Sequence, residues 1–191
     1  DGEPQKVGVA LVDVITGLFA AVGILAALRH RDRTGAGQRV EVDLLSCLLA
    51  ALVNQGSAYT LAGAVAHRMG NAHPSIAPYE ALRCADGLLV VACGNDEQFR
   101  RLCQVLGVPG LGSEPRFATN PRRVAARAEL REQLEARLAQ ATAAVWQARL
   151  TEVGVPAGEV RDVAGAFALA DRPGLEPVVR PAGRGATPPV A

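Results

Sequence analysis

Two residues stand where they could do chemistry, Asp13 and His73. Asp13 interrupts an apolar run, just where Val14-Ile15-Thr16-Gly17 starts a helical pattern. A carboxylate there can cap the helix, accepting a bond from a backbone N–H two or three residues on and facing the positive helix end. The same position keeps it ionised, and in a dry cleft an ionised carboxylate is a usable nucleophile. The two roles are compatible, and spacing alone leaves both open. His73 lies in Gly70-Asn71-Ala72-His73-Pro74, a loop by composition that could present an imidazole to a substrate. It could equally be an exposed turn histidine, and residue types alone favour that plainer reading. His30 and His67 sit beside arginines near helix ends and read as structural. No Ser-His-Asp order, Walker-type loop or Gly-x-Gly-x-x-Gly stands out.

Composition narrows the classes. The formal net charge is +1, which argues against a nucleic-acid partner held by bulk electrostatics. Cys47, Cys84, Cys93 and Cys103 show no Cys-x-x-Cys pairing and no histidine at metal-ligand spacing, so no metal site is expected. Two fall in helical and two in strand-like stretches, where cysteine serves as a small buried hydrophobe. A disulfide scaffold is not expected at this length, and reduced cytoplasm is the expected compartment. The first residues are polar and begin with Asp1, so the sequence is expected to start inside a longer protein.

The elements around these residues alternate in type. Val7 to Leu28 is almost wholly apolar and reads as a helix. Its length would allow a membrane span, but Asp13 would then lie in hydrocarbon, so a helix packed inside a soluble core is expected instead. A turn at Gly35 to Gln38 leads into Arg39-Val40-Glu41-Val42-Asp43-Leu44, an alternating strand signal. Leu44 to Val65 reads as a second buried helix. Tyr79 to Cys84 and Leu88 to Cys93, joined by Ala85-Asp86-Gly87, read as a hairpin. Helices follow from Asn95, as cap, to Leu106; from Pro121 to Ala139; and from Thr142, as cap, to Val153. From Arg172 onward the chain is rich in Pro, Gly and Arg and is expected to be irregular.

The run Val12-Asp13-Val14-Ile15-Thr16-Gly17-Leu18-Phe19 resembles the catalytic-aspartate segment of the class III CoA transferases, the CaiB/BaiF family that includes formyl-CoA transferase. Further stretches are similar in the family's order: Thr34 to Val42, Gly70 to Tyr79, Asp86-Gly87 with Gly94 to Phe99, Pro115 to Asn120, and Gly154 to Gly158. Each is weak alone, and together they span residues 7 to 165. The resemblance implies an α/β fold: part of a Rossmann-like large domain over residues 1–70, a small α+β domain over 71–160, and a return segment with an irregular tail over 161–191. It also implies an interlocked homodimer.

In such enzymes the aspartate, here Asp13, attacks an acyl-CoA thioester and forms a mixed anhydride. CoA thiolate then gives an aspartyl-CoA thioester, and an acceptor carboxylate completes the exchange. The resemblance makes Gly70, Asn71, His73 and Pro74 part of a loop over the active site, able to shield the anhydride from water. It also gives Gln38 a share in shaping the site. Coenzyme A enters as a thioester substrate, with a small carboxylic acid as second partner; no bound cofactor, nucleic acid or membrane is expected. Two departures accompany the resemblance. Family chains are longer, with a CoA-binding half before the aspartate that this sequence lacks, and residues beyond about Phe167 diverge. A 2-methylacyl-CoA racemase of the same family and a non-catalytic remnant are the alternatives; the stretch from Gly70 to Tyr79 resembles the transferase branch more.

Overall fold

The computed structural model describes residues 3, 5–171 and 175. It is an α/β structure that divides into two compact units, residues 1–68 and the chain from Met69 onward. The expected irregular tail from Arg172 lies outside the described residues, apart from Leu175.

The first unit is helical. Its longest element, α1 (Leu11–Thr34), has 24 residues and ends on Gly35, whose φ of 75° is left-handed, with Arg31 and Arg33 in the last turn. That order of cap and charge suits the negative C-terminal end of the helix. The segment after it lies tightly against α1. A Cβ added at Gly23 would meet Val40 Cγ1 at 2.8 Å, so glycine is needed there for the approach. A strand is expected over Arg39 to Leu44, but residues 39–43 form none and Leu44 begins the next helix. A strand requires a paired edge, and among the described residues of this unit there is none.

Asp43 caps α2 (Leu44–Ala51), its carboxylate accepting from Ser46 N at 2.8 Å. That bond holds the Asp43 carboxyl below its usual range. The single helix expected from Leu44 to Val65 is instead two, α2 and α3 (Val53–Ala62), bent by 88°. The break falls at Val53, whose φ of 46° is unusual for a β-branched residue and ends the helical ladder. None of the α1 residues is buried, and Val14, Leu18, Val22 and Leu25 are each more than half exposed. By length and composition α1 could cross a membrane, as could the bent pair α2–α3. Apolar surface this extensive marks a face made for contact.

The second unit has its own core. Strands β1 (Tyr79–Arg83) and β2 (Leu88–Ala92) form the hairpin, in a register that pairs Tyr79 with Ala92 and Arg83 with Leu88. A third strand, β3 (Ala157–Glu159), adds antiparallel to β2. Helix α4 (Asp96–Val105) is capped by Asn95, which accepts from Gln98 N at 2.9 Å. A short α5 (Pro109–Ser113) follows. The helix expected from Pro121 to Ala139 is broken at Ala126 into α6 (Asn120–Ala125) and α7 (Arg127–Leu138). Helix α8 (Ala143–Glu152) is capped by Thr142 and α9 (Val163–Ala170) by Asp162. Leu82, Leu89 and Val91 from the sheet meet Phe99 and Leu102 of α4, Leu130, Leu134 and Leu138 of α7, and Trp146 and Leu150 of α8 in one buried cluster.

Candidate active site

Asp13 sits third in α1, and the cap position belongs to Ala10, which makes no side-chain cap bond. Of the two roles that spacing leaves open for Asp13, capping is therefore not the one it plays. Its carboxylate is exposed in the first turn, where the positive end of a long helix faces an anion. This is an arrangement in which a carboxylate can act on an electrophile brought to it.

Gln38 belongs to the same unit and lines a cleft of about 410 Å³ with Ile24, Ala27, Leu28 and Val40. The α1 wall of that cleft begins at Ile24, eleven residues beyond Asp13, or about 16 Å along the helix axis. Within the unit, Gln38 thus packs beside the second half of α1 and Asp13 lies in its first turn.

Gly70, Asn71, His73 and Pro74 come together in one loop of the second unit. Gly70 has φ 61°, a left-handed value that glycine adopts without penalty, and the turn closes with Ala72 N donating to Met69 O at 3.2 Å. The loop then runs beside the start of β1. His73 N donates to Tyr79 O at 2.9 Å, and Asn71 Oδ1 accepts from Ala81 N at 2.9 Å. The His73 ring stacks on Tyr79 with centroids 5.1 Å apart, and its Nδ1 accepts from Ser75 N at 3.2 Å. In the neutral ring this places the proton on Nε2, ready to donate.

Residue types alone did not mark Asn120, Arg123 and Arg127, which hold this loop from the other side. Asn120 lies in one of the stretches that resemble the family, yet nothing in its type signalled contact with residues 75 and 77. The two arginines had a faint signal. Counting back from the buried stripe Leu130, Leu134 and Leu138 by helical steps reaches Arg127 and then Arg123.

Cys84, Cys93 and Cys103 are not candidates for covalent chemistry. Burial pushes Cys93 and Cys103 up to about 12 and Cys84 to about 11, far from thiolate at neutral pH. All four cysteines are free. Iodoacetamide at pH 8 is expected to label Cys93 and Cys103 about 100-fold more slowly in the native protein than in urea, read by peptide mass spectrometry. Equal rates would show that the core of the second unit is open. Among the described residues no three His, Cys, Asp or Glu side chains converge as a metal site would require.

Residues 1–177 match the profile of "CoA-transferase family III". The chain is 42% identical over 173 residues to a succinate–glutarate CoA-transferase of Agrobacterium fabrum, covering 88% of this chain and 42% of that protein. It is 38% identical over 170 residues to an acetyl-CoA:oxalate CoA-transferase of Acetobacter aceti, covering 88% and 44%. Among solved structures, a CAIB/BAIF family protein from Brucella suis superposes with a TM-score of 0.71 at 47% identity, over 88% of this chain and 44% of that one. The chain thus spans about two fifths of the length of the curated relatives it matches.

Proposed function

Because the chain belongs to CoA-transferase family III, we propose that Asp13 is the acyl-carrying carboxylate of an enzyme that moves coenzyme A from an acyl-CoA to a carboxylic acid. One observation carries this reading: Asp13 lies exposed in the first turn of a 24-residue helix and its side chain serves no cap.

The carboxylate attacks the thioester carbonyl carbon, the C–S bond breaks, and CoA leaves as the thiolate from a mixed anhydride. The thiolate then attacks the aspartyl carbonyl, releasing the donor acid and leaving an aspartyl-CoA thioester. The acceptor carboxylate repeats both steps in reverse and frees Asp13. Thioester and anhydride are close in reactivity, so each exchange splits one difficult transfer into two easier ones. The family resemblance supports Gly70, Asn71, His73 and Pro74 as the loop that keeps water from the anhydride, whereas Gln38, beside the second half of α1, is assigned no step. The relatives named for succinate, glutarate and oxalate support short dicarboxylic acids as the substrate class.

The exposed apolar face of α1 and the bent pair α2–α3 are covered, in this reading, by protein and not by lipid. A Rossmann-like large domain and a second copy of the chain in an interlocked dimer are the proposed cover. Asp13 within α1 supports it, because a carboxylate inside hydrocarbon is expensive. The four free cysteines suit the reduced cytoplasm.

The complete gene product, given succinyl-CoA and carbon-13-labelled glutarate or oxalate, is expected to yield the labelled acyl-CoA and free succinate by mass spectrometry. Exchange of the α-deuterium of a 2-methylacyl-CoA, with no transfer to either acid, would sink this reading in favour of racemisation.

A further inference from the structure

The loop over residues 70–78 contains no helix or strand, so its shape is decided by what grips it. Three side chains some fifty residues later in the chain do so. Arg127 Nη2 donates to His73 O at 2.6 Å and to Ile76 O at 3.2 Å. Asn120 accepts from Ala77 N at 3.1 Å and donates to Ser75 O at 2.8 Å. Arg123 Nε donates to Ala77 O at 2.6 Å. Between them they pair five backbone groups, the carbonyls of His73, Ser75, Ile76 and Ala77 and the amide of Ala77, in a loop with no helix or strand to pair them.

Arg127 is itself held. Its Nη1 lies 3.4 Å from Glu80 Oε1, and Arg131 Nη1 lies 3.5 Å from Glu80 Oε2. Glu80 is 3% exposed, and its Oε2 has no hydrogen-bond partner among the described residues. A buried ion pair with one oxygen left short is a poor way to gain stability, since apolar side chains of similar size would do as well or better. What it does supply is orientation. The carboxylate fixes a planar guanidinium so that one nitrogen reaches two loop carbonyls, a fork that lysine cannot reproduce.

We propose that Arg127, oriented by Glu80 and assisted by Asn120, is a positioning residue that sets the 70–78 loop in the shape that keeps water from the acyl-enzyme. This rests on the transferase reading above. Arg127 touches no reacting atom; it acts through the backbone of His73 and Ile76. Loosening it should therefore change the fate of the anhydride more than its formation, so that water competes with CoA and acceptor.

The test uses the complete gene product with Arg127→Gln, Arg127→Lys and Asn120→Ala, and Arg116→Gln as a control that removes an exposed pair with Glu114 and Glu129. Two readouts are taken on each: amide exchange of the 70–78 peptide, and the ratio of acyl-CoA hydrolysis to transfer. Arg127→Gln is expected to speed exchange in 70–78 by about 10-fold or more while β1, β2 and α4 stay protected. The hydrolysis ratio should rise by about 10-fold in the same variant, with Arg127→Lys and Asn120→Ala showing smaller rises and the control none. If Arg127→Gln fails to fold, the lysine and Asn120→Ala variants carry the comparison. Unchanged exchange in the loop would overturn the clamp. Faster exchange with an unchanged hydrolysis ratio would overturn its role in the reaction. A wild-type protein that transfers to no acid would overturn the transferase reading itself, and is told apart from the others because it needs no variant.

Discussion

Asp13→Ala in the complete gene product is expected to lower kcat/KM for CoA transfer by about 10⁴-fold or more, since the variant has no group to carry the acyl chain. The fold should survive the change. Asp13 is exposed and caps nothing, and alanine is the best helix former. Removing a first-turn acid costs only about 0.3–1 kcal/mol. Loss of activity would thus report chemistry and not unfolding, and far-ultraviolet circular dichroism of the variant checks the point. Trapping gives the sharper result. Wild-type protein mixed with acyl-CoA and quenched with hydroxylamine should carry a hydroxamate on the peptide containing Asp13, and the alanine variant should carry none. Asp13→Glu keeps the carboxylate but shifts it by one methylene, and is expected to trap acyl groups while turning over at least about 100-fold more slowly. Hydroxamate formed on another peptide of Asp13→Ala, with transfer intact, would move the nucleophile elsewhere.

What could be read from the residues, and what could not, follows the range of the interactions. The Asp86-Gly87 hairpin and the Asn95 and Thr142 caps are decided within four residues, and each forms where its own side chains and dihedrals require. The strand expected at Arg39 to Leu44 has the right alternation, but a strand is half of an interaction. Without a paired edge the segment stays irregular, with Val40 against Gly23. Strand β3 shows the converse: Ala-Gly-Glu carries no strand pattern, and it pairs because β2 offers an edge. The long helices expected at Leu44 to Val65 and Pro121 to Ala139 have continuous helical periodicity. They break at Val53 and Ala126, through backbone angles that periodicity does not encode. At the candidate site, Asp13 was visible as a misfit in an apolar run. Whether it capped α1 was not, because the cap depends on where the helix starts, and that is three residues earlier than the side chain suggested. The grip of Arg127 and Asn120 on the 70–78 loop was the least legible feature. A surface-looking arginine on an amphipathic helix differs from a buried one only by what folds against it.

Arg123 is where that distinction has its largest energetic consequence. The side chain is fully buried, with its guanidinium 4.4 Å over the Phe99 ring. It donates to Ala77 O at 2.6 Å, to Phe117 O at 2.9 Å and to Asp96 Oδ1 at 2.8 Å. One residue therefore ties the 70–78 loop, the segment before α6 and the first turn of α4 together. Arg123→Ala is expected to destabilise the second unit by about 3–5 kcal/mol. Asp96 is not the main source of that loss, because its side chain is 38% exposed and water can replace the arginine. The loss comes from two carbonyls left in a dry place, on residues with no exposure of their own, and from the cavity beneath Phe99. Arg123→Lys keeps a charge for Asp96 but serves fewer acceptors, and should cost less. Asp96→Ala leaves the cation its two carbonyls and the Phe99 ring and opens its third donor to the same water, so it should cost less than Arg123→Ala, and Arg123→Met with Asp96→Ala should cost less than the two single losses added. Urea unfolding followed by Trp146 fluorescence reads all of these, since it is the one tryptophan in the sequence and is buried in the same core. A midpoint for Arg123→Ala that matches wild type, with an unchanged slope, would mean that Ala77 and Phe117 find other donors and that the tie is dispensable.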